Sequence, residues 1–210
     1  MKEVSVVLNG FRRPFSLEKQ YNAVKAQTVP AKEIFMWKNH PENETQFDFS
    51  KYTDLAISSN NANYGVWARF AFALNTTSEY ICVLDDDTIP SEKWFENCIH
   101  CIENENNGLY GTIGVIFNDL DYRSYIRHGW ANPNEETKEV DIVGHSWFFH
   151  RDLLGAFWRE STVPVSHLCG EYMHFSYAIQ KYLDLKTYVP PHPKDDKSLW
   201  GSDPELANRF

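Results

Sequence analysis

The sequence predicts a single-domain α/β fold, in which helices are layered on both faces of a mixed central sheet. Residues 1–106 alternate short apolar runs with amphipathic stretches, which is typical of a Rossmann-like sheet whose strands are joined by helices. The remainder contains mostly strand-like runs, which indicates an antiparallel or mixed portion. A chain of 210 residues, 42% of them hydrophobic, is long enough for one large domain, 1–210, with a substantial core.

The first half of the chain, about residues 1–106, contains the predicted strand and helix repeats. The strands are short runs rich in β-branched and other apolar residues, at 4–9, 33–38, 55–58 and 80–84. The helices show apolar residues at helical spacing, at about 16–27, 64–75 and 91–105. Ser16 is a candidate N-cap for the first helix.

After residue 108 the pattern changes to strand-like runs separated by turns. We predict strands at 109–117, 121–127, 140–149 and 186–189, and one helix that begins near Gly170 and Glu171. The proline-rich tail from Pro190 onward shows no regular pattern. About residues 107–210 therefore form the second half of the same domain, since no linker separates them from the first.

The composition limits the classes of partner. A net charge of −9 argues against nucleic acid, because binding a phosphate backbone requires a basic surface. The chain shows no signal peptide and no apolar stretch long enough to span a membrane, so we expect a cytoplasmic protein with no membrane span. Cys98 and Cys101 have the spacing of half a zinc site, but their helical pattern and the lack of a second pair favour buried thiols.

The most informative segment is the acidic triplet Asp85, Asp86 and Asp87, which follows the predicted strand at 80–84. Side chains alternate along a strand, so Asp85 and Asp87 can point the same way. Two hard oxygen donors suit Mn²⁺ or Mg²⁺, and such ions usually contact phosphates. The triplet therefore predicts a metal-assisted site for a nucleotide diphosphate at the carboxyl edge of the sheet. The alternative is a solvated acidic turn before Pro90.

The phosphate-binding groups are predicted to be side chains, because neither glycine-rich phosphate-loop pattern occurs. Arg12 and Arg13 follow the first strand, and the planar guanidinium is well suited to phosphate. The triplet does not fit the haloacid-dehalogenase phosphatases, whose motif has Asp, Asp and Thr at alternate positions. That register gives Asp85, Asp87 and Ile89 here.

Four segments in this order resemble the GT-A fold of nucleotide-sugar glycosyltransferases. They are VSVVLNGFRR at 4–13, LDDDT at 84–88, GHSWFFHR at 144–151 and CGEYMHF at 169–175. Within that fold the pattern is similar to exostosin-type enzymes. Over about residues 4–201 the chain also resembles the N-terminal glycosyltransferase domain of a large multi-domain chlorella-virus protein. The resemblance implies a domain of a larger multi-domain protein, in the host cytoplasm if the protein is viral.

The resemblance implies a metal ion and a UDP-sugar donor. Mn²⁺ or Mg²⁺ would bind Asp87, with His192 as a further contact. Asp85 would bond the ribose or assist the metal, and Asp86 would lie near the donor sugar. The other residues that the resemblance assigns to the nucleotide sugar are Asn9, Arg12 and Arg13 around the uracil and diphosphate, Asn60, Asn61 and Arg69 in the donor pocket, Lys197 over the diphosphate, and His145 towards the sugar or acceptor. For Arg69, a surface salt bridge on a helix is the alternative.

The resemblance assigns the reacting centre to Glu171. An acid at a helix start also interacts favourably with the helix dipole, so helix capping is its alternative role. Exostosin-type enzymes show two adjacent acids here, whereas this chain has Gly170 and then Glu171. Glu171 would be the general base in an inverting reaction and would stabilise the sugar cation or position the acceptor in a retaining one. The exostosin-like features favour retention.

The predicted function is transfer of a hexose or deoxyhexose from a UDP-sugar to a hydroxyl of an oligosaccharide or glycoprotein acceptor. The first half of the domain would bind the nucleotide, and the second half would bind the acceptor. One alternative is a sugar-phosphate nucleotidyltransferase, which usually carries a glycine-rich loop after the first strand. Another is a non-catalytic carbohydrate-binding module, which would explain the 15% aromatic residues but not the acidic triplet.

Overall fold

The computed structural model describes residues 2–40, 47–160, 168–205 and 207. Within these ranges the strands are β1 (Val4–Gly10), β2 (Ala31–Lys38), β3 (Leu55–Ser59), β4 (Tyr80–Leu84), β5 (Gly108–Tyr110), β6 (Ile113–Phe117), β7 (Tyr125–Gly129), β8 (Lys138–Val140), β9 (Ile142–Gly144), β10 (Ser146–His150) and β11 (Lys186–Val189). The α-helices are α1 (Leu17–Lys25), α2 (Ala68–Phe72), α3 (Trp94–Asn104), α4 (Leu154–Phe157) and α5 (Glu171–Leu183).

A central sheet of eight strands has the order β3-β2-β1-β4-β10-β5-β11-β8. Strands β1 to β4 are parallel, and β10 then runs antiparallel to β4. The predicted mixed central sheet is therefore confirmed. The reversal places the start of β10 at the same edge as the end of β4, because Ser146 pairs with Leu84.

Helices cover both faces of this sheet, as predicted. Along β4, Cys82 and Leu84 pack in one buried cluster with α1 and α3, whereas Ile81 and Val83 pack in a second cluster with α2, α4 and α5. A strand that is buried on both faces needs apolar residues at every position, which explains its unbroken apolar sequence. Cys98 and Cys101 are buried free thiols of α3.

The second half of the chain differs most from the prediction. The predicted strand 109–117 is two strands, of which β5 lies in the central sheet and β6 in a separate three-stranded sheet of order β7-β6-β9. The predicted strand 140–149 is likewise divided among β8, β9 and β10. The two sheets approach closely at Gly111, where an added Cβ would lie 2.5 Å from Cβ of Val143. Local hydrophobicity does not reveal that a run changes sheets.

Three smaller elements also differ from expectation. Helix α2 is shorter than the predicted 64–75, because Gly65 has a φ of +69° and only residues 73–75 continue it as a 3₁₀ turn. Ser16 precedes α1, but its hydroxyl donates to the carbonyl oxygen of Arg13 (2.7 Å) instead of capping the helix. Helix α4 was not predicted. None of the described helices combines the length and apolar character that a membrane crossing requires.

Candidate active site

The candidate site lies at the carboxyl edge of the central sheet. Leu8 of β1 pairs with Leu84 of β4, so Asn9 and Asp85 follow at adjacent positions of this edge. The Asp85 N–H donates to the carbonyl oxygen of His145 (3.0 Å), which joins the triplet to the segment before β10. Asn9, the triplet and His145 line a cleft of about 820 Å³. This is the edge where open α/β sheets bind ligands.

Asp85, Asp87 and His145 form a candidate metal site. Their ligand atoms lie within 4.8 Å of one another. Asp87 Oδ1 is buried, lies 3.6 Å from His145 Nδ1, and has no hydrogen-bond partner among the described residues. Two carboxylates and an imidazole suit a divalent ion such as Mn²⁺, so these residues fit the cation that the sequence predicted. Sequence analysis placed His145 near the sugar, not beside the carboxylates.

The backbone holds His145 in an unusual conformation. Its φ is +64°, in the left-handed region that non-glycine residues rarely adopt. The Thr88 hydroxyl donates to the His145 carbonyl oxygen (2.8 Å), in addition to the bond from Asp85. Strained conformations of this kind persist only where surrounding contacts fix them, and they cluster at functional sites.

The pKa values of Asp86, Asp87 and His145 are shifted in different directions. Burial raises the pKa of Asp86 to about 6, although Arg13 opposes the shift. Burial would also raise the pKa of Asp87, but His145 and then Arg13 outweigh it, so that pKa is lowered. The pKa of His145 is raised, because Asp87 and Asp85 outweigh its burial. Asp87 is therefore ionised at neutral pH, as a metal ligand must be.

Three of the predicted donor-binding residues line the cleft beside the triplet. Arg13 forms an ion pair with Asp86 and lies 3.4 Å from Asp87. The Arg12 guanidinium lies over the Phe11 ring at 4.7 Å. Asn9 lines the cleft, and its buried Oδ1 has no hydrogen-bond partner within the described ranges, which leaves an unused acceptor at the site.

Arg69 connects the two acidic parts of the site. Its side chain is 1% exposed, pairs with Asp85, and donates to Glu171 Oε1 (2.8 Å). The guanidinium also lies 4.7 Å from the centre of the Trp147 ring. Burial would lower the pKa of Arg69, but the two carboxylates raise it. The sequence predicted that Arg69 would line the donor pocket. In the structure Arg69 is not among the residues that line the cleft, but it holds two that are, Asp85 and Glu171.

Glu171 is the first residue of α5 and lines the cleft. Its Oε1 accepts from Arg69, whereas its Oε2 is buried without a hydrogen-bond partner among the residues described. Burial raises the pKa of Glu171, and Arg69 limits the rise. An ionisable oxygen with a free lone pair in a cleft can accept a proton from a bound hydroxyl.

Four other predicted site residues lie outside this group. Asn60 donates to the carbonyl oxygen of Lys38 (3.0 Å), and Asn61 is an exposed residue of the same turn. Lys197 lies 3.5 Å from both Asp203 and Glu205. None of these three residues, nor His192, is among those that line the cleft.

His192 was predicted to contact the metal ion with Asp85 and Asp87. It is instead fully buried and contacts the C-terminal segment at Gly201. Its Nδ1 donates to the Pro190 carbonyl oxygen (2.9 Å), and its Nε2 accepts from the Gly201 N–H (3.1 Å). Burial lowers the pKa of His192 to about 4, so the ring is neutral. Both ring nitrogens are used by the backbone, which leaves neither for a metal ion in this conformation.

We expect His192→Leu to destabilise the protein by about 2 kcal/mol, because it leaves the buried Gly201 N–H without its partner, whereas the Pro190 carbonyl oxygen still accepts from Asn134 (2.9 Å). The metal-dependent stabilisation by UDP should remain. Urea unfolding with and without UDP and Mn²⁺ measures both quantities, and His100→Leu, at an exposed position of α3, is the matched control. Loss of the UDP and Mn²⁺ response with normal stability would instead return His192 to the metal site.

Sequence analysis missed two contributions to the site. The buried Gln20 of α1 donates to the carbonyl oxygens of Asp85 (2.6 Å) and Thr88 (2.8 Å), and so fixes the turn that carries the triplet. A lone Gln in a helical pattern carries no signal for this role. One wall of the cleft comes from the three-stranded sheet, which the sequence did not separate from the central sheet.

Comparisons with known proteins agree with this fold. The chain is similar to a crystal structure of S. aureus TarS, with a TM-score of 0.61 and 14% identity over 91% of this chain and 35% of that one. For S. aureus TarS 1-349 the TM-score is 0.59, with 14% identity over 91% of this chain and 58% of that one. This chain thus spans between about a third and three fifths of those proteins, and at this identity the likeness shows the fold alone.

The sequence comparison shows the family as well as the fold. No curated protein matches the sequence significantly. The model of the family described as Glycosyl transferase family 2 matches residues 5–163, which include all of β1 except Val4, the acidic triplet and His145. The match covers most of the chain, and the mixed, layered sheet agrees with the predicted GT-A fold. The chain therefore belongs to glycosyl transferase family 2, a family of glycosyltransferase enzymes.

Proposed function

We propose that the protein transfers a hexose or deoxyhexose from a UDP-sugar to a hydroxyl of a glycan acceptor, with Mn²⁺ or Mg²⁺ as cofactor. One observation carries the proposal. A single cleft contains three clustered metal-ligating side chains, Asp85, Asp87 and His145, together with the buried carboxylate of Glu171. The first group suits a diphosphate, and the second suits an attacking hydroxyl.

Residues of the first half bind the donor. Asn9 Oδ1 is an unpaired acceptor that suits the N–H of a uracil ring. Arg12 and Arg13 supply positive charge for the diphosphate. When bound, a divalent cation at Asp85, Asp87 and His145 acts as a Lewis acid that neutralises the charge of the departing diphosphate. The arginines share that electrostatic role with side chains that are already in place.

Transfer forms one bond and breaks one bond. The acceptor oxygen bonds to the anomeric carbon, while the bond from that carbon to the β-phosphate oxygen breaks and its electron pair leaves with UDP. The acceptor proton goes to Glu171 Oε2, the carboxylate oxygen without a partner among the described residues. This direct displacement inverts the anomeric configuration. The exostosin-type resemblance instead favours retention, with Glu171 beside the sugar cation, and ¹H NMR of the product distinguishes the two outcomes.

We expect UDP with Mn²⁺ to raise the unfolding temperature of the wild-type protein but not of Asp87→Ala. At about 100 times the dissociation constant, a ligand stabilises by roughly 2.7 kcal/mol, which corresponds to a rise of several degrees for a domain of this size. Thermal unfolding with UDP alone, Mn²⁺ alone and both measures the effect. Asp195→Ala, an exposed acid away from the cleft, should respond as the wild type does.

The same samples separate the alternatives. A shift that is indifferent to Mn²⁺ and to Asp87 would contradict the proposed donor site. Incubation with UDP-glucose, UDP-galactose or UDP-rhamnose should release UDP slowly even to water. A nucleotidyltransferase would release pyrophosphate from UTP instead, and a carbohydrate-binding module would release neither.

A further inference from the structure

Four aromatic side chains form one wall of the cleft. We call them the aromatic ledge: Phe117, Tyr122, Tyr125 and Tyr172. The Phe117 ring lies 5.7 Å from that of Tyr122 and 6.4 Å from that of Tyr125. The hydroxyls of Tyr122 and Tyr172 are hydrogen-bonded at 2.6 Å. The ledge is therefore held together by its own contacts across the three-stranded sheet and α5.

Tyr172 is partly buried and packs against the second core cluster, whereas the other ledge residues do not. Tyr122 is 49% exposed and Tyr125 is 36% exposed, and neither belongs to a buried cluster. Large aromatic surfaces left open inside a cleft favour a ligand that covers them. The tyrosine hydroxyls and the Arg127 guanidinium, which donates to the Tyr125 hydroxyl (3.0 Å), add polar groups along the same surface.

Exposed aromatic rings with polar groups beside them favour a sugar ring as the ligand. A pyranose has a rigid C–H face that can cover an aromatic ring, while its edge carries hydroxyls that need partners such as Tyr122 and Arg127. Each of these groups already has one partner on the ledge, but the guanidinium and the hydroxyls can each form further hydrogen bonds, which a purely apolar chain would not use. The Arg127 guanidinium places positive charge beside the ledge, which disfavours a cationic ligand.

We propose that the aromatic ledge binds the acceptor as a pyranose ring, stacked on Tyr122 and Tyr172. This inference rests on the proposed function and adds the residues that hold the acceptor and the ring form in which they bind it. The position is suitable, because Tyr172 directly follows Glu171 in the first turn of α5. Both residues line the cleft, so a ring on this part of the ledge lies in the same cleft as the carboxylate that we propose accepts the proton.

Saturation-transfer NMR tests the proposal without requiring turnover. The probes are methyl α- and β-glucosides, galactosides, mannosides and rhamnosides, each with UDP and Mn²⁺ present. At least one should receive saturation at its ring C–H protons, whereas sorbitol, an open-chain hexitol without a rigid face, should not. Tyr122→Ala should weaken glycoside binding by about tenfold, and Tyr122→Phe by roughly threefold, because the latter keeps the ring.

Two comparisons decide the outcome. Tyr177→Ala removes a tyrosine that is 54% exposed on α5 and does not line the cleft, and it should bind glycosides as the wild type does. The UDP and Mn²⁺ thermal shift should be unchanged in Tyr122→Ala, since the donor site is separate. If no glycoside binds to the wild type, or if Tyr122→Ala binds equally well, the ledge proposal is wrong while the donor shift still stands. If UDP with Mn²⁺ caused no thermal shift in the wild type, that result would contradict the proposed function instead.

Discussion

Replacing Glu171 with Gln is expected to slow sugar transfer by about 10³-fold, the usual size of a general-base contribution. The side chain keeps its shape and can still accept a hydrogen bond from Arg69 at Oε1. It loses the basic oxygen, Oε2, which is buried in the cleft with no partner among the described residues. The rate of UDP release from the UDP-sugar that the wild type uses, with and without a bound glycoside, measures the effect.

Donor binding provides the control for this substitution. The thermal shift caused by UDP and Mn²⁺ should match that of the wild type, because Glu171 is not among the clustered metal-ligating residues. Glu79→Gln, at a partly exposed acid that pairs with Lys2, should leave the rate unchanged. A Glu171→Gln protein with the wild-type rate would show that the proton leaves by another route, and that Glu171 serves only the start of α5.

Arg69→Met is expected to destabilise the protein by about 3 kcal/mol, since removal of one partner of a buried ion pair leaves an uncompensated charge. For a domain of this size that corresponds to a fall in unfolding temperature of roughly 6–12 °C. The cost comes mainly from Glu171, whose side chain is 7% exposed, because Asp85 at 27% can be rehydrated. Chemical denaturation measures the change in free energy of unfolding.

A double-mutant cycle tests the cause of this loss. Glu171→Gln removes the stranded charge, so it should restore part of the stability of Arg69→Met. Arg123→Met, whose side chain is 87% exposed and paired with Asp121, should change stability by less than about 1 kcal/mol. If Arg69→Met were as stable as Arg123→Met, the buried bridge between the two acids would be energetically unimportant.

The site is assembled where the direction of the sheet reverses. The parallel strands β1 and β4 bring Asn9 and Asp85 to one edge, and the antiparallel β10 brings His145 back to that edge. Two hydrogen bonds to the His145 carbonyl oxygen fasten the reversal to the triplet. The residues that we propose to bind the donor and to accept the proton thus come from distant parts of the chain and meet in one cleft.

Local sequence was sufficient for the first half of the fold. Each strand from β1 to β4 is a short apolar run with a turn after it, and parallel neighbours bring the residues after those runs to the same edge. The triplet and the two arginines were found in this way. Glu171 was located by its place at the start of a predicted helix together with the family resemblance.

The rest depended on contacts that no local pattern encodes. A period of two residues describes a strand but not the sheet to which it belongs, so β5 and β6, or β9 and β10, looked continuous in sequence. The partners of a lone histidine or arginine are equally invisible, because they lie far along the chain. The sequence by itself determined the α/β class and the acidic edge of the sheet. Only the tertiary structure placed His145 beside the carboxylates and buried Arg69 between two acids. It also placed His192 away from the triplet and assembled the aromatic ledge. Each of these features depends on which distant residues pack together and exclude water.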